Sequence, residues 1–125
     1  GLLTGMSNPN EVVGFDQRVD HDWEGVHFAA AIERMPLLAD VGISSRWAGL
    51  YEVSPDAHPI LGAVSEVEGL YCIAGFSGHG FMHGPVCGLL LAEEILDGQA
   101  RTLDISSLRL DRFREGRLIS EYNVV

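Results

Sequence analysis

Residues 70–98, LYCIAGFSGHGFMHGPVCGLLLAEEILDG, decide how the rest of the chain is read. The first five residues, LYCIA, are apolar and strand-like. The loop at 75–84, GFSGHGFMHG, then carries Gly75, Gly78, Gly80 and Gly84, with His79 and His83 set among them. A helix is expected over 85–97. Proline suits its first turn, where an amide would lack an intrahelical partner anyway, and Gly98 suits its C-terminal stop. Its body, VCGLLLAEEIL, is apolar nearly all round, which predicts burial on more than one side.

Working outward, ILGAV (60–64) and LYCIA are two strands joined by the turn SEVEG. RWAGLYEV (46–53) is rich in aromatic and β-branched residues and leads through SPDAHP into ILGAV, so the pattern predicts a three-stranded antiparallel meander. In the turn, Asp56 is placed to bond nearby N–H groups and fix the hairpin, with His58 beside it in a structural role. Upstream, LLTGM and EVVGF read as two short strands around SNPN. A helix is expected from Asp22 to Met35, with Asp22 as N-cap and Glu24 in the first turn. Its apolar face is Trp23, Val26, Ala29, Ala30, Ile32 and Met35. Pro36 ends it, and LLAD adds a short turn. Trp23 and Trp47 read as core residues. RTLDISSLRLDRF holds a short helical turn, and the arginine-rich tail reads as a solvated or interface segment. The fold class is α+β, mostly antiparallel strands with two main helices.

The 125 residues amount to one domain's worth of chain, and 46% hydrophobic content makes it globular. No apolar run approaches the roughly 18 residues of a membrane helix. A formal charge of −10 argues against nucleic acid and against an anionic membrane surface. All eight basic residues are arginine, which removes Schiff-base chemistry and a P-loop lysine. Cys72 and Cys87 lie in apolar stretches and read as reduced thiols of a cytoplasmic protein. The start, GLLTGMSNPNEVVGF, has no initiator methionine and no signal-peptide pattern, so the chain reads as part of something longer.

Strand, glycine-rich turn, helix is the layout of a dinucleotide fingerprint, but three residues separate Gly80 from Gly84 where that motif has two. No parallel βαβ pattern follows. His79 and His83 are four apart, yet a metal needs further ligands, and Gly80 and Gly84 argue against helix at His79. The more general reading is a loop whose glycines let the backbone approach a flat or charged ligand. The helix start at His83 to Pro85 then offers unpaired N–H groups to an anion. A tight strand-to-helix connection without a ligand is the alternative.

The strings WAGLYEVSPDAHPILG (47–62) and GLYCIAGFSGHGFMHGP (69–85) resemble the C-terminal segment of FAD-dependent amine oxidoreductases of the D-amino-acid oxidase and glycine oxidase superfamily. The most similar members are of the sarcosine oxidase, β-subunit, dimethylglycine dehydrogenase and proline dehydrogenase types. The ordered match covers about Trp47 to Gly98.

That resemblance implies a fragment of a two-domain FAD-binding oxidoreductase. Residues 1–45 would end the substrate domain, and 46–125 would form the C-terminal part of the FAD-binding domain. Gly78, His79, Gly80, Phe81 and Met82 would be the flavin-binding positions. Tyr51, Gly78 through its carbonyl, and Met82 would face an amine or amino-acid substrate, whose C–N bond is oxidised to an imine. No protein side chain is assigned to the chemical step itself. Met82 stands where sarcosine oxidase has a lysine for the substrate carboxylate. Gly49 stands where it has the cysteine that bonds covalently to FAD, so FAD would be non-covalent through this segment. The family's N-terminal Rossmann domain, with its own GxGxxG, is missing. That absence implies no turnover by this chain alone and an exposed apolar surface prone to self-association. A non-catalytic assembly module with an acidic surface is the alternative reading.

Overall fold

A computed structural model describes residues 1–120, which fall into two compact units, one over residues 1–50 and one beginning at Tyr51.

In the first unit, helix α1 spans His21–Arg34, and a 3-10 turn spans Pro36–Asp40. The N-cap of α1 is Asp20, not Asp22. Its carboxylate accepts from the amides of Asp22 (2.9 Å) and Trp23 (3.2 Å), the orphan donors that a cap residue is placed to reach. Glu24 does lie in the first turn, where it takes His21 Nδ1 at 2.9 Å and the Arg46 guanidinium. The apolar face of α1 is only partly covered: Trp23, Ala30 and Ile32 are half-buried, and no residue of the helix is fully buried. Trp23 is half-buried and donates its indole N–H to the Met6 carbonyl at 3.1 Å, but Trp47 is 68% exposed and is not a core residue.

LLTGM and EVVGF are not strands. The Asn8 side chain accepts from Asn10 N at 3.0 Å and makes the expected turn, but neither flank finds a neighbour to complete a ladder. A short extended run without such a partner leaves its backbone groups to water.

In the second unit, β1 (Ile60–Ala63) pairs antiparallel with β2 (Tyr71–Ala74), with Ile60 opposite Ala74 and Ala63 opposite Tyr71. Among the described residues the sheet has two strands, not three. Residues 46–53 run without regular strand structure; Glu52, for example, reaches the amides of Gly75 and Phe76 through its side-chain carboxylate rather than through its backbone.

Helix α2 spans Gly80–Asp97 and so begins five residues before the expected Pro85. Pro85 lies in the second turn, where it has no N–H to give to the Phe81 carbonyl. The C-terminal stop is as read. Gly98 takes a left-handed φ of 76° and donates to the Glu94 carbonyl at 2.9 Å. Only one stripe of α2 is buried, formed by Cys87, Leu90 and Glu94 at helical spacing. The expected burial on further sides is not found, since Leu89 is 50% and Leu96 82% exposed. The buried stripe meets Leu61 of β1 and Ile105, with Phe76, Leu91, Ala100 and Leu108 packed around them. A 3-10 turn over Ser106–Leu108 and a single helical turn, α3 (Asp111–Arg114), follow.

The tail departs most from its solvated reading. Arg112 is 1% exposed. It grips the Asp56 carboxylate with both Nε (2.7 Å) and Nη2 (2.8 Å), and Nη2 also donates to the His58 carbonyl at 2.9 Å. Nη1 donates to the Leu108 carbonyl at 2.8 Å. Asp56 also accepts from His58 N at 3.3 Å, as its turn role required. Arg114 and Arg117 do remain exposed, paired with Glu66 and Glu115. A second carboxylate, Glu94 of α2, takes the amide of Ala63 at 3.1 Å and pairs with Arg109. Gly62 runs beneath this pair at φ +117°, where a Cβ would collide with the guanidinium.

The Arg112 guanidinium holds the Asp56 carboxyl far below the usual carboxylate range. A depressed folded-state pKa supplies stability that is complete above the unfolded value of about 4 and fades as pH falls below it. Urea melts should therefore show a wild-type midpoint that falls below pH 4. Arg112→Met, which leaves Asp56 buried and unpaired, should lose about 3–5 kcal/mol at pH 7. Arg112→Met combined with Asp56→Asn should recover part of that loss.

Candidate functional site

The loop after β2 is fixed at three successive points by the segment that begins at Tyr51. Glu52 Oε1 accepts from the amides of Gly75 (2.9 Å) and Phe76 (3.1 Å). Ser77, fully buried, accepts the amide of Ser54 and donates its hydroxyl to the Gly75 carbonyl at 3.3 Å. The Tyr51 ring packs on Gly78, so that a Cβ added there would lie 3.5 Å from the ring. Ser54 is tied onward to the buried ion pair, since its hydroxyl donates to the His58 carbonyl at 2.7 Å and to Asp56 at 3.3 Å.

The loop backbone is unusual. Gly75 (φ 71°), Ser77 (φ 52°) and Gly78 (φ 90°) all lie at left-handed φ. Glycine adopts this region without penalty, but at Ser77 it costs about 1–2 kcal/mol. Such a conformation persists only where the surroundings over-determine it, and the hydrogen bonds of Ser77 do so. A reverse turn, His79 N to the Phe76 carbonyl at 3.0 Å, delivers the chain into α2.

Tyr51 and Gly78 are brought together. His79 is the N-cap of α2, with backbone φ −98° and no side-chain capping bond. Gly80 is the first helical residue, and a Cβ there would meet Phe76 at 3.3 Å. Phe81 is fully exposed and Met82 is 64% exposed. The amides of Met82 and His83 both turn back to the His79 carbonyl (3.2 and 3.1 Å), whereas those of Gly80 and Phe81 find no acceptor among the described residues. The free amides of the helix start therefore lie at Gly80 and Phe81 instead of at His83 to Pro85, where they were expected.

His79 stays outside the helix as its N-cap, in line with the glycines' argument against helix there, while His83 lies in the first turn of α2. The two rings stack with centroids 5.8 Å apart. No group of three metal-ligating side chains is gathered among the described residues.

Glu52, Ser54 and Ser77 were not singled out from the sequence. One signal was available. Residues 52 and 54, read as an extended segment, would face the same way. The positive dipole end of α2 and two unsatisfied amides make a surface that favours an anion or a group on which negative charge develops, while the space left by the missing Cβ atoms of Gly78 and Gly80 is taken by Tyr51 and Phe76.

Comparison with known proteins agrees with this chemistry. Residues 1–94 match the family described as FAD dependent oxidoreductase (DAO), and the chain belongs to that family. It is 33% identical over 109 residues to FAD-dependent oxidoreductase domain-containing protein 1 of Mus musculus, covering 86% of this chain and 22% of that one. It is 38% identical over 82 residues to mitochondrial sarcosine dehydrogenase of Homo sapiens, covering 64% of this chain and 9% of that one. The fold superposes on the crystal structure of L-proline dehydrogenase from P. horikoshii with a TM-score of 0.78 at 32% identity, over 85% of this chain and 28% of that one. The chain thus spans only 22% of the length of the mouse relative. No helix among the described residues is long and apolar enough to cross a membrane. The cytoplasmic expectation is not carried further, since one of these relatives is named as mitochondrial.

Two substitutions probe the loop. Gly78→Ala forces a side chain into left-handed backbone and should cost about 1–2 kcal/mol. Ser77→Ala orphans the buried Ser54 amide and should cost about 1–3 kcal/mol. Thermal melts measure both losses, and hydrogen exchange should show them as faster opening of residues 75–79.

Proposed function

We propose that this chain is the flavin-facing and substrate-facing C-terminal part of an FAD-dependent oxidoreductase that oxidises the C–N bond of an amino acid or secondary amine to an imine. The observation that carries this reading is the pinned loop at 75–78, which runs straight into the unsatisfied amides that start α2, in a chain whose family is FAD-dependent. The relatives named for sarcosine and proline dehydrogenation support a small amine or amino-acid substrate. We assign residues 1–45 to the end of a substrate domain and 46–125 to the C-terminal part of an FAD-binding domain. The Rossmann part of that domain is the expected partner, and the open apolar face of α2 supports contact with it or self-association.

Gly78, His79, Gly80, Phe81 and Met82 would hold the isoalloxazine edge. FAD, when bound, supplies the acceptor for the two electrons that leave the substrate. The chain's own contribution is binding and electrostatics. Backbone N–H groups and the α2 dipole favour negative charge at the place where they point, and being pre-formed they need no reorganisation when it develops. Tyr51 lies on the substrate side of Gly78, whose carbonyl would accept from the substrate amine. The imine product is then hydrolysed by water.

Met82 supplies no cation for a substrate carboxylate, and Gly49 no thiol for a covalent flavin bond. The intact protein should therefore carry FAD that is released, intact and soluble, on acid or heat denaturation. A purified intact protein without flavin would overturn the proposal in favour of the assembly module. Residues 1–125 expressed alone should bind FAD weakly or not at all and show no turnover. Met82→Lys should lower KM for N-methyl amino acids relative to amines lacking a carboxylate, as steady-state kinetics of the intact protein would show.

A further inference from the structure

Glu52 is the one charged group among the contacts that fix the loop. Its carboxylate is solvent-exposed and pairs with no arginine among the described residues. Instead it gathers backbone N–H groups, namely its own amide and those of Phe76 and Gly75, which hold its carboxyl below the usual range. An exposed carboxylate has water as a ready alternative, so this arrangement joins two particular stretches of backbone. One is the residue next to Tyr51. The other is the first two residues of the loop, where Gly75 turns left-handed at φ 71°.

The Tyr51–Gly78 contact and the Ser54–Ser77 bond lie on either side of that junction. Together the three contacts link the tyrosine side of the proposed site to the loop side as one body.

We propose that Glu52 is a positioning residue. By anchoring the amides of Gly75 and Phe76 it sets the path of residues 75–78, and through them the placement of the Gly78 carbonyl and of the free amides of Gly80 and Phe81. The inference rests on the flavoprotein reading above. The function of Glu52 is geometric: a hydrogen-bond acceptor must stand at this distance from the backbone, whether or not it is charged. Glutamine keeps an acceptor oxygen at the same reach. Aspartate keeps the charge but is one methylene too short to reach the amides from the same backbone.

The experiment uses the intact protein, stripped of flavin and titrated with FAD by flavin fluorescence. Visible circular dichroism of the bound flavin and the melting temperature of the flavin-free protein are recorded alongside. Glu52→Ala and Glu52→Asp should each weaken FAD binding about tenfold, the equivalent of losing one charge-assisted hydrogen bond, and should alter the flavin dichroism. Glu52→Gln should stay within about threefold of wild type with an unaltered dichroism, a smaller loss in line with a neutral acceptor. Flavin-free melting temperatures should move little in all three.

Affinity and dichroism unchanged in Glu52→Ala or Glu52→Asp would overturn the proposal. So would a Glu52→Gln that behaves as badly as Glu52→Ala while Glu52→Asp matches wild type, for then charge and not position would matter. A wild-type protein that takes up no FAD would overturn the flavoprotein reading beneath it, and the wild-type titration identifies that outcome separately.

Discussion

The buried pair of Asp56 and Arg112 is the interaction on which the second unit depends. A guanidinium at 1% exposure is tolerable only when its donors are occupied, and here they go to Asp56 and to the carbonyls of His58, Leu108 and Arg109. Those partners come from two regions about fifty residues apart in the chain. The pair therefore closes the chain after α2 back onto the turn that precedes β1. Ser54 extends the network to Ser77, so the glycine loop is reached from the ion pair in two hydrogen-bonded steps. The Glu94–Arg109–Ala63 cluster repeats the device at the other end of β1, tying α2 to the strand edge.

This polar scaffolding compensates for a small apolar core. Four buried hydrophobic residues, with four more packed around them, hold the sheet to α2. A two-stranded sheet is marginal by itself, and it persists here because a helix covers one face and carboxylates anchor its surroundings. The uncovered face of α2 and the exposed Phe81 and Met82 are then consistent features of one surface chemistry rather than scattered exceptions. They are apolar groups for which this stretch of chain provides no cover. In the first unit α1 likewise carries an apolar stripe that is only partly covered, with no residue fully buried.

In the site proposed at the glycine loop the functional groups would be amides and a carbonyl, which side chains serve indirectly by setting φ and ψ. Gly75 and Gly78 make the left-handed turns inexpensive, and Ser77 makes one that must be held in place. The helix supplies a dipole and two free amides at the point where the turns end.

Local chemistry was legible in the sequence wherever short-range physics decides. The β1–β2 hairpin, the helix stop at Gly98, the break at Pro36 and the turn role of Asp56 all rest on neighbours within a few residues. The strings WAGLYEVSPDAHPILG and GLYCIAGFSGHGFMHGP were enough to indicate the family. Tertiary structure decided the rest. Whether residues 46–53 join a ladder depends on partners far along the chain, and here the Glu52 carboxylate reaches the glycine loop instead. Helix α2 begins at Gly80 because the turn ending at His79 launches it, which overrides the glycine and proline propensities of its first residues. Arg112 belongs to the core only because Asp56 awaits it there. Sequence by itself determined residue chemistry and short-range order. The burial of charge, the start of α2 and the gripping of the loop by Tyr51, Glu52 and Ser54 were decided by long-range contacts, which no local window contains.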